Sequence, residues 1–167
     1  AGAGLLERYE ENAAPGAEPS APAPMRWAEI AAASRTDPMI SSLIDCGQTS
    51  FARPLTHTEM EKLVNLYVQE GFAPEAVMLC VAYVASRGKR TMAAVTHELR
   101  VWRAEGVETG EQADAHLKLL ALRQSREEYV SSLLQITPEE LTLGGRKAIA
   151  RWYEVYGYDD AMVQEAA

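Results

Sequence analysis

Cysteine, phenylalanine and positive charge are all scarce in this sequence. Its 167 residues include two cysteines and two phenylalanines, and 16 Lys and Arg stand against 24 Asp and Glu, a formal net charge of −8. The acidic balance excludes a globally basic nucleic-acid coat, so any DNA contact has to come from a local patch. No apolar run approaches the ~20 residues that cross a bilayer as a helix, and no membrane partner is expected. Cys46 and Cys80 stand alone in apolar surroundings. Without a Cys-x-x-Cys or Cys/His cluster they make neither a zinc site nor a disulfide framework, and they suit reduced thiols in a cytoplasmic protein. Strand-like alternation bounded by turn dipeptides is missing as well, so the fold class is all-α. The opening Ala1-Gly2-Ala3-Gly4 has no Met, basic stretch or apolar core of a secretion signal, and reads as the continuation of a longer chain.

What is present is a series of capped helices. Residues 1–24 are dominated by Ala, Pro, Gly and Glu and read as a disordered linker, because such a composition buries too little apolar surface to offset its ordering entropy. From Met25 the pattern is helical. Trp27, Ile30 and Ala31 share a face, and Met39, Ile40, Leu43 and Ile44 follow Asp37-Pro38. Thr56 and Glu59 form a capping box ahead of Met60, Leu63, Val64, Tyr67 and Val68, and Gly71-Phe72 is a stop with an apolar fold-back. Pro74-Glu75 opens a helix whose inward face carries Val77, Cys80, Val81 and Val84, closed by Gly88. Thr91 caps a helix with Val95, Leu99 and Trp102 that ends at Gly106. Thr109 and Gln112 lead another with Ala113, Leu117, Leu120 and Ala121. A further box, Ser125 to Glu128, predicts a new short helix through Tyr129, Leu133 and Leu134, and Thr137-Pro138 restarts the chain again.

Leu141-Thr142 lies 86 residues after Leu55-Thr56, and the two stretches match forward without a gap. Leu63 meets Ile149, Leu66 meets Trp152, Tyr67 meets Tyr153, Gly71 meets Gly157, Phe72 meets Tyr158 and Val77 meets Val163. Each shared position has a physical role in the hairpin, as cap, core face, left-handed stop or fold-back contact. Four segments follow: the linker over 1–24, a compact helical domain over 25–122, a connecting helix over 123–140, and the start of a second, truncated unit over 141–167. Trp152, Tyr153 and Tyr156 should then pack on the first unit or on another chain.

Chemistry has few candidates. Between Arg87 and Arg103 the chain holds Arg87, Lys89, Arg90, Arg100 and Arg103 against Glu98 alone. This density beside the helix start at Thr91 suits phosphate contact. It also suits, and more readily, a solvated face balancing Glu105, Glu108 and Glu111. Trp102 is in phase with the core stripe and is also a stacking candidate for a base. Tyr67 and Tyr153 read as core-to-rim residues with their hydroxyls in water. His57, His97 and His116 sit on separate helices, form no i, i+4 pair, and read as surface histidines. No paired carboxylates in an apolar setting and no nucleophile with a base partner are visible. Neither catalysis, a cofactor nor a metal is expected.

The run Leu55–Phe72, Pro74-Glu75-Ala76-Val77, Met92–Trp102 and Gly106-Val107-Glu108-Thr109-Gly110-Glu111-Gln112-Ala113 resembles the DnaD-like domain of bacterial replication-initiation proteins, a family that includes helicase-loading proteins and phage replisome organisers. The resemblance covers roughly Met25 to Leu122 and again Leu141 onward, and the tandem arrangement is similar to clostridial-type members. It implies a multi-helix DnaD-like bundle, and a role in replication initiation or the primosome that is non-catalytic. The implied partners are replication and helicase-loading proteins, DNA bound weakly through the local basic patch, and a second copy of the chain. The family's Tyr-xxx-Ile-xxx-Trp signature for DNA places its Trp on Trp102, while Glu98 holds the Ile position and Ala94 the Tyr position. The DNA-contacting residues it leaves are Arg87, Lys89, Arg90, Arg100, Trp102 and Arg103. The alternative is a helical protein–protein interaction module that binds partner helices and no DNA.

Overall fold

A computed structural model describes residues 23–166, so the linker expected over 1–24 lies, up to residue 22, outside the described residues. The described chain is all-helical, as the absence of strand patterns predicts: α1 (Trp27–Ala33), α2 (Pro38–Phe51), α3 (His57–Val68), α4 (Pro74–Ser86), α5 (Met92–Ala104), α6 (Gly110–Leu134), a 3₁₀ turn at Pro138–Glu140, α7 (Leu143–Glu154) and α8 (Asp160–Ala166). The helix starts fall on the side chains that can satisfy free backbone N–H groups. Asp37, Thr56, Thr91, Thr109 and Thr142 each accept from an amide in the following turn.

α2 to α5 and the first half of α6 surround one core, with Phe51, Leu63, Leu66, Val77, Val81, Val95, Leu99 and Trp102 at its centre. α1 adds Ile30 to a small cluster with Ile40 and Val64. A separate cluster joins the second half of α6 to α7 and α8 through Val130, Ile149, Tyr153 and Val163. α6 is therefore a spine shared by two cores. Its first residue crowds α4: a Cβ on Gly110 would stand 2.6 Å from the Glu75 Cβ, so glycine is what lets the helices meet there.

One boundary differs from the sequence expectation. No new helix begins at Ser125, because α6 runs unbroken from Gly110 to Leu134. No Gly or Pro interrupts residues 111–134, and the Glu128 carboxylate that a capping box would use accepts instead from Gln124 one turn earlier. The Ser-x-x-Glu spacing is a cap only where the chain is already broken.

The repeat is reproduced in the backbone. α3 and α7 have equal lengths, and their caps Thr56 and Thr142 share φ near −70° and ψ near 160°. Gly71 and Gly157 adopt φ of 70° and 66°. The fold-back bonds correspond as well: Phe72 N–H donates to Leu66 C=O at 3.1 Å, and Tyr158 N–H to Trp152 C=O at 2.9 Å. α4 and α8 start at matching residues, Pro74 and Asp160. The correspondence also extends upstream of Leu55. α2 ends in a left-handed Ala52 and α6 in a left-handed Gln135, with φ/ψ of 54°/34° and 56°/37°. The 3₁₀ turn Pro138–Glu140 occupies the extra length before α7. The end of α6 thus stands before α7 as α2 stands before α3.

The paired tyrosines depart from expectation. Their hydroxyls are bonded, not left to water: Tyr67 donates to Asp37 Oδ2 at 3.2 Å and Tyr153 to Asp160 Oδ1 at 2.7 Å. Desolvation of the Tyr153 ring, joined by that bond and its charge, pushes the phenol above its ordinary value and keeps it a donor. Tyr153 packs on Val130 of α6. Trp152 is half-buried against the same cluster and Tyr156 stays exposed.

Candidate nucleic-acid interface

The cationic residues singled out in the sequence do not converge on one patch. Gly88, with φ of 77°, ends α4 and turns the chain into Lys89-Arg90, and the Thr91 hydroxyl accepts from Ala94 N–H at 3.3 Å to start α5. Arg87, Lys89 and Arg90 are all exposed around this joint. Arg87 donates to the Tyr83 hydroxyl at 3.2 Å and lies over the same ring. Lys89 and Arg90 form no salt bridge among the described residues. The Arg90 carbonyl lies 3.4 Å from a guanidinium nitrogen of Arg53.

Arg100 and Arg103 sit toward the other end of α5, about 15 and 20 Å of helix from Arg90. Arg100 faces Glu70 at 3.6 Å. Arg103 lies over the Phe72 ring, 3.6 Å from its centroid, and donates to the Glu70 carbonyl at 2.7 Å. That guanidinium covers the apolar fold-back residue and ties down the end of α3. These two arginines hold α5 against α3, and the free cations gather at the start of α5.

Trp102 is corrected to a core residue. It is 1% exposed and presents no ring face to a base. Its indole N–H donates to Glu98 Oε1 at 2.9 Å. This explains the acid at the position where the family signature has Ile: one turn before the Trp, Glu98 satisfies a buried donor that an aliphatic residue would leave unpaired. His116 is also not a simple surface histidine. Its side chain is 11% exposed, its ring meets the Trp102 edge at 5.4 Å, and Nε2 lies 3.4 Å from Glu105. His57 stacks on Trp27 at 4.7 Å, and His97 is exposed.

Burial raises both cysteine thiols above their ordinary value, opposing thiolate formation. Cys80 is fully buried with Sγ 3.7 Å from Val95 O. No group of three or more His, Cys, Asp or Glu among the described residues is placed to hold a metal ion. No described helix is long and apolar enough to cross a membrane.

One concave surface went unnoticed in the sequence. Between α4 and α6 runs a groove of about 1140 Å³, floored by Leu79, Ala82, Tyr83, Leu117 and Leu120 and edged by both charge signs, Arg87, Arg123 and Arg146 with Glu127, Glu128 and Glu139.

Taken together, these elements define a helical block with a small basic joint and a groove with an apolar floor. Residues 46–117 match a family model described as replication initiation and membrane attachment. The matched stretch takes in the residues from Leu55 to Ala113 that carry the DnaD-like resemblance, and it supports that resemblance. No curated protein and no solved structure matches it.

Proposed function

We propose that this protein is a non-catalytic component of replication initiation. In this reading it works in the cytoplasm, associates with helicase-loading proteins and with its own copies, and touches DNA weakly. The observation that carries the reading is the family match over residues 46–117, which spans α3, α4 and α5, the start of α6 and the basic joint between α4 and α5. For DNA, the supporting feature is the exposed set Arg87, Lys89 and Arg90 beside the α5 N-terminus, where backbone N–H groups and side-chain charge both favour a phosphate. Arg100 and Arg103 contribute at most indirectly, since both are engaged with α3. With so few charges, binding weakens steeply as salt rises.

The test is a fluorescence titration of labelled single- and double-stranded DNA at several salt concentrations. Lys89→Ala/Arg90→Ala should lower affinity across sequences and reduce the slope of log K against log salt by about 2. Unchanged binding in that variant removes the joint as the contact. A chain that binds no DNA at low salt favours the second reading, a helical protein–protein interaction module. The groove between α4 and α6 favours it too, since its apolar floor suits an amphipathic partner helix.

A further inference from the structure

The repeat allows one unit to interpret a surface of the other. In the first unit, four residues spaced one turn apart along α3 and its C-cap, namely His57, Glu61, Asn65 and Gln69, hold the extended chain that enters the domain. The Trp27 ring stacks on His57, with 10° between planes. Trp27 N–H donates to Glu61 Oε1 at 2.8 Å. Met25 is clamped at both backbone groups, its N–H donating to Asn65 Oδ1 at 2.9 Å and its carbonyl accepting from Asn65 Nδ2 at 3.0 Å. Gln69 Nε2 donates to the Ala23 carbonyl at 2.8 Å. The strap runs antiparallel to α3, and alternate residues 23, 25 and 27 meet successive turns. The match is geometric: four helical residues rise ~6.0 Å and two extended residues span ~6.6 Å.

The same ridge along α7 and its C-cap is Leu143, Lys147, Arg151 and Val155, and all four are exposed. Leu143 and Val155 are 70% and 67% accessible, so no described segment lies along them. Their chemistry has changed as a set. The acceptor Glu61 and the two-way amide Asn65 have become Lys147 and Arg151, which can only donate. The stacking and amide ends have become aliphatic. Lys147 has no ion pair among the described residues, and Arg151 donates to the Tyr156 hydroxyl at 2.9 Å.

We propose that the α7 ridge Leu143–Lys147–Arg151–Val155 binds an extended, acidic segment of a partner polypeptide, laid antiparallel to the helix as residues 23–27 lie on α3. The repeat sets the path and charge sets the occupant: alternate residues of the segment read apolar, acidic, acidic, apolar. Nucleic acid fits this ridge poorly, because its two ends, Leu143 and Val155, are exposed aliphatic side chains that offer a phosphate no contact. The proposal is independent of the basic joint in the first unit.

The test uses the whole chain and a fluorescein-labelled peptide, Leu-Ala-Glu-Ala-Glu-Ala-Leu, with its Gln-for-Glu twin as comparison. Anisotropy should show saturable binding of the acidic peptide and about tenfold weaker binding of the twin. Lys147→Glu/Arg151→Glu should weaken the acidic peptide by tenfold or more, whereas reversing an exposed cation on α3, Lys62→Glu, should leave it unchanged. Circular dichroism checks the fold, and Lys147→Gln/Arg151→Gln replaces the reversal if the fold is lost. Failure to saturate, equal binding of the twin, or indifference to both α7 double variants overturns the proposal. So does displacement of the peptide by duplex DNA whose own binding is lost in Lys147→Glu/Arg151→Glu. Lys89→Ala/Arg90→Ala should keep the peptide interaction, which separates this result from the DNA reading.

Discussion

The two hairpins of this chain share a backbone and differ in what covers it. α3 and α7 begin on threonines of the same geometry and stop at glycines with the same positive φ. Around α3, however, lie α1, α2, α4 and α5, whereas α7 rests mainly on α6 and α8. Equivalent side chains consequently have different fates. Phe72 is 4% exposed under Arg103, and its counterpart Tyr158 is 40% exposed; Ala76 is 2% exposed, and Met162 is 53%. Local signals set a hairpin's shape, and its surroundings set how much stability the shape brings. Exchanging Phe for Tyr at the open position is consistent with this, since a phenol tolerates water better than a benzyl ring.

If this is right, core truncations should separate the two units most strongly. Leu63→Ala removes a fully buried side chain from the larger core and should cost ~3–5 kcal/mol. Ile149→Ala, at the matching position in the small cluster, should fall near the low end of the range for such truncations, ~2 kcal/mol, because its surroundings can collapse more easily. Urea titrations of the two variants read the difference directly. Equal costs would mean that the second cluster is as rigidly enclosed as the first, contrary to the cover seen here.

The hairpins were the most legible part of the sequence, because caps and left-handed stops are decided by a few neighbouring residues. Thr56-x-x-Glu59, Gly71-Phe72 and Thr109-x-x-Gln112 needed no tertiary information. Ser125-x-x-Glu128 misled for the converse reason. Its spacing is right for a cap, but what it does depends on whether the preceding turn is already helical, and Gln124 decides that by occupying Glu128. The basic cluster was legible as composition and illegible as a surface. Arg87 to Arg103 are neighbours in sequence, yet α5 spreads them over about 20 Å and turns two toward Glu70 and Phe72. The partner of Trp102 was hidden in the same way. Glu98 looked like a defect in a DNA motif until the indole N–H was seen to need an acceptor.

A smaller effect tests the shared backbone itself. Gly71→Ala and Gly157→Ala both place a side chain at positive φ, and neither new Cβ would meet an atom within 4 Å. The cost is then conformational alone, ~1–2 kcal/mol at each site. The two losses should agree with each other although the core truncations do not. Differential melts of the pair give the measurement. A clearly larger loss at Gly71 would mean that the stop, too, depends on its surroundings.

The smallest effect distinguishes the two helix starts by pH. Glu59 accepts from the Thr56 amide and hydroxyl, and Arg53 grips its carboxylate at 2.6 and 2.9 Å. The Arg53 hydrogen bonds first, and then the Thr56 amide, hold its pKa at about 2, below the ordinary carboxylate range. A depressed acid stabilises the fold above its unfolded pKa, and that contribution fades as pH falls from ~4.3 toward 2. At the matching place in the second unit, Gly145 donates its N–H to Thr142 and has no carboxylate to protonate. Hydrogen exchange across this window should therefore show the first turn of α3 opening as acid is added, while the first turn of α7 lacks this contribution. Glu59→Gln should flatten the α3 dependence, and because the carboxylate stands near solvent the change should stay below that of the glycine variants. An α3 start whose acid dependence survives Glu59→Gln would place the titrating group elsewhere and remove the one electrostatic difference between the paired caps.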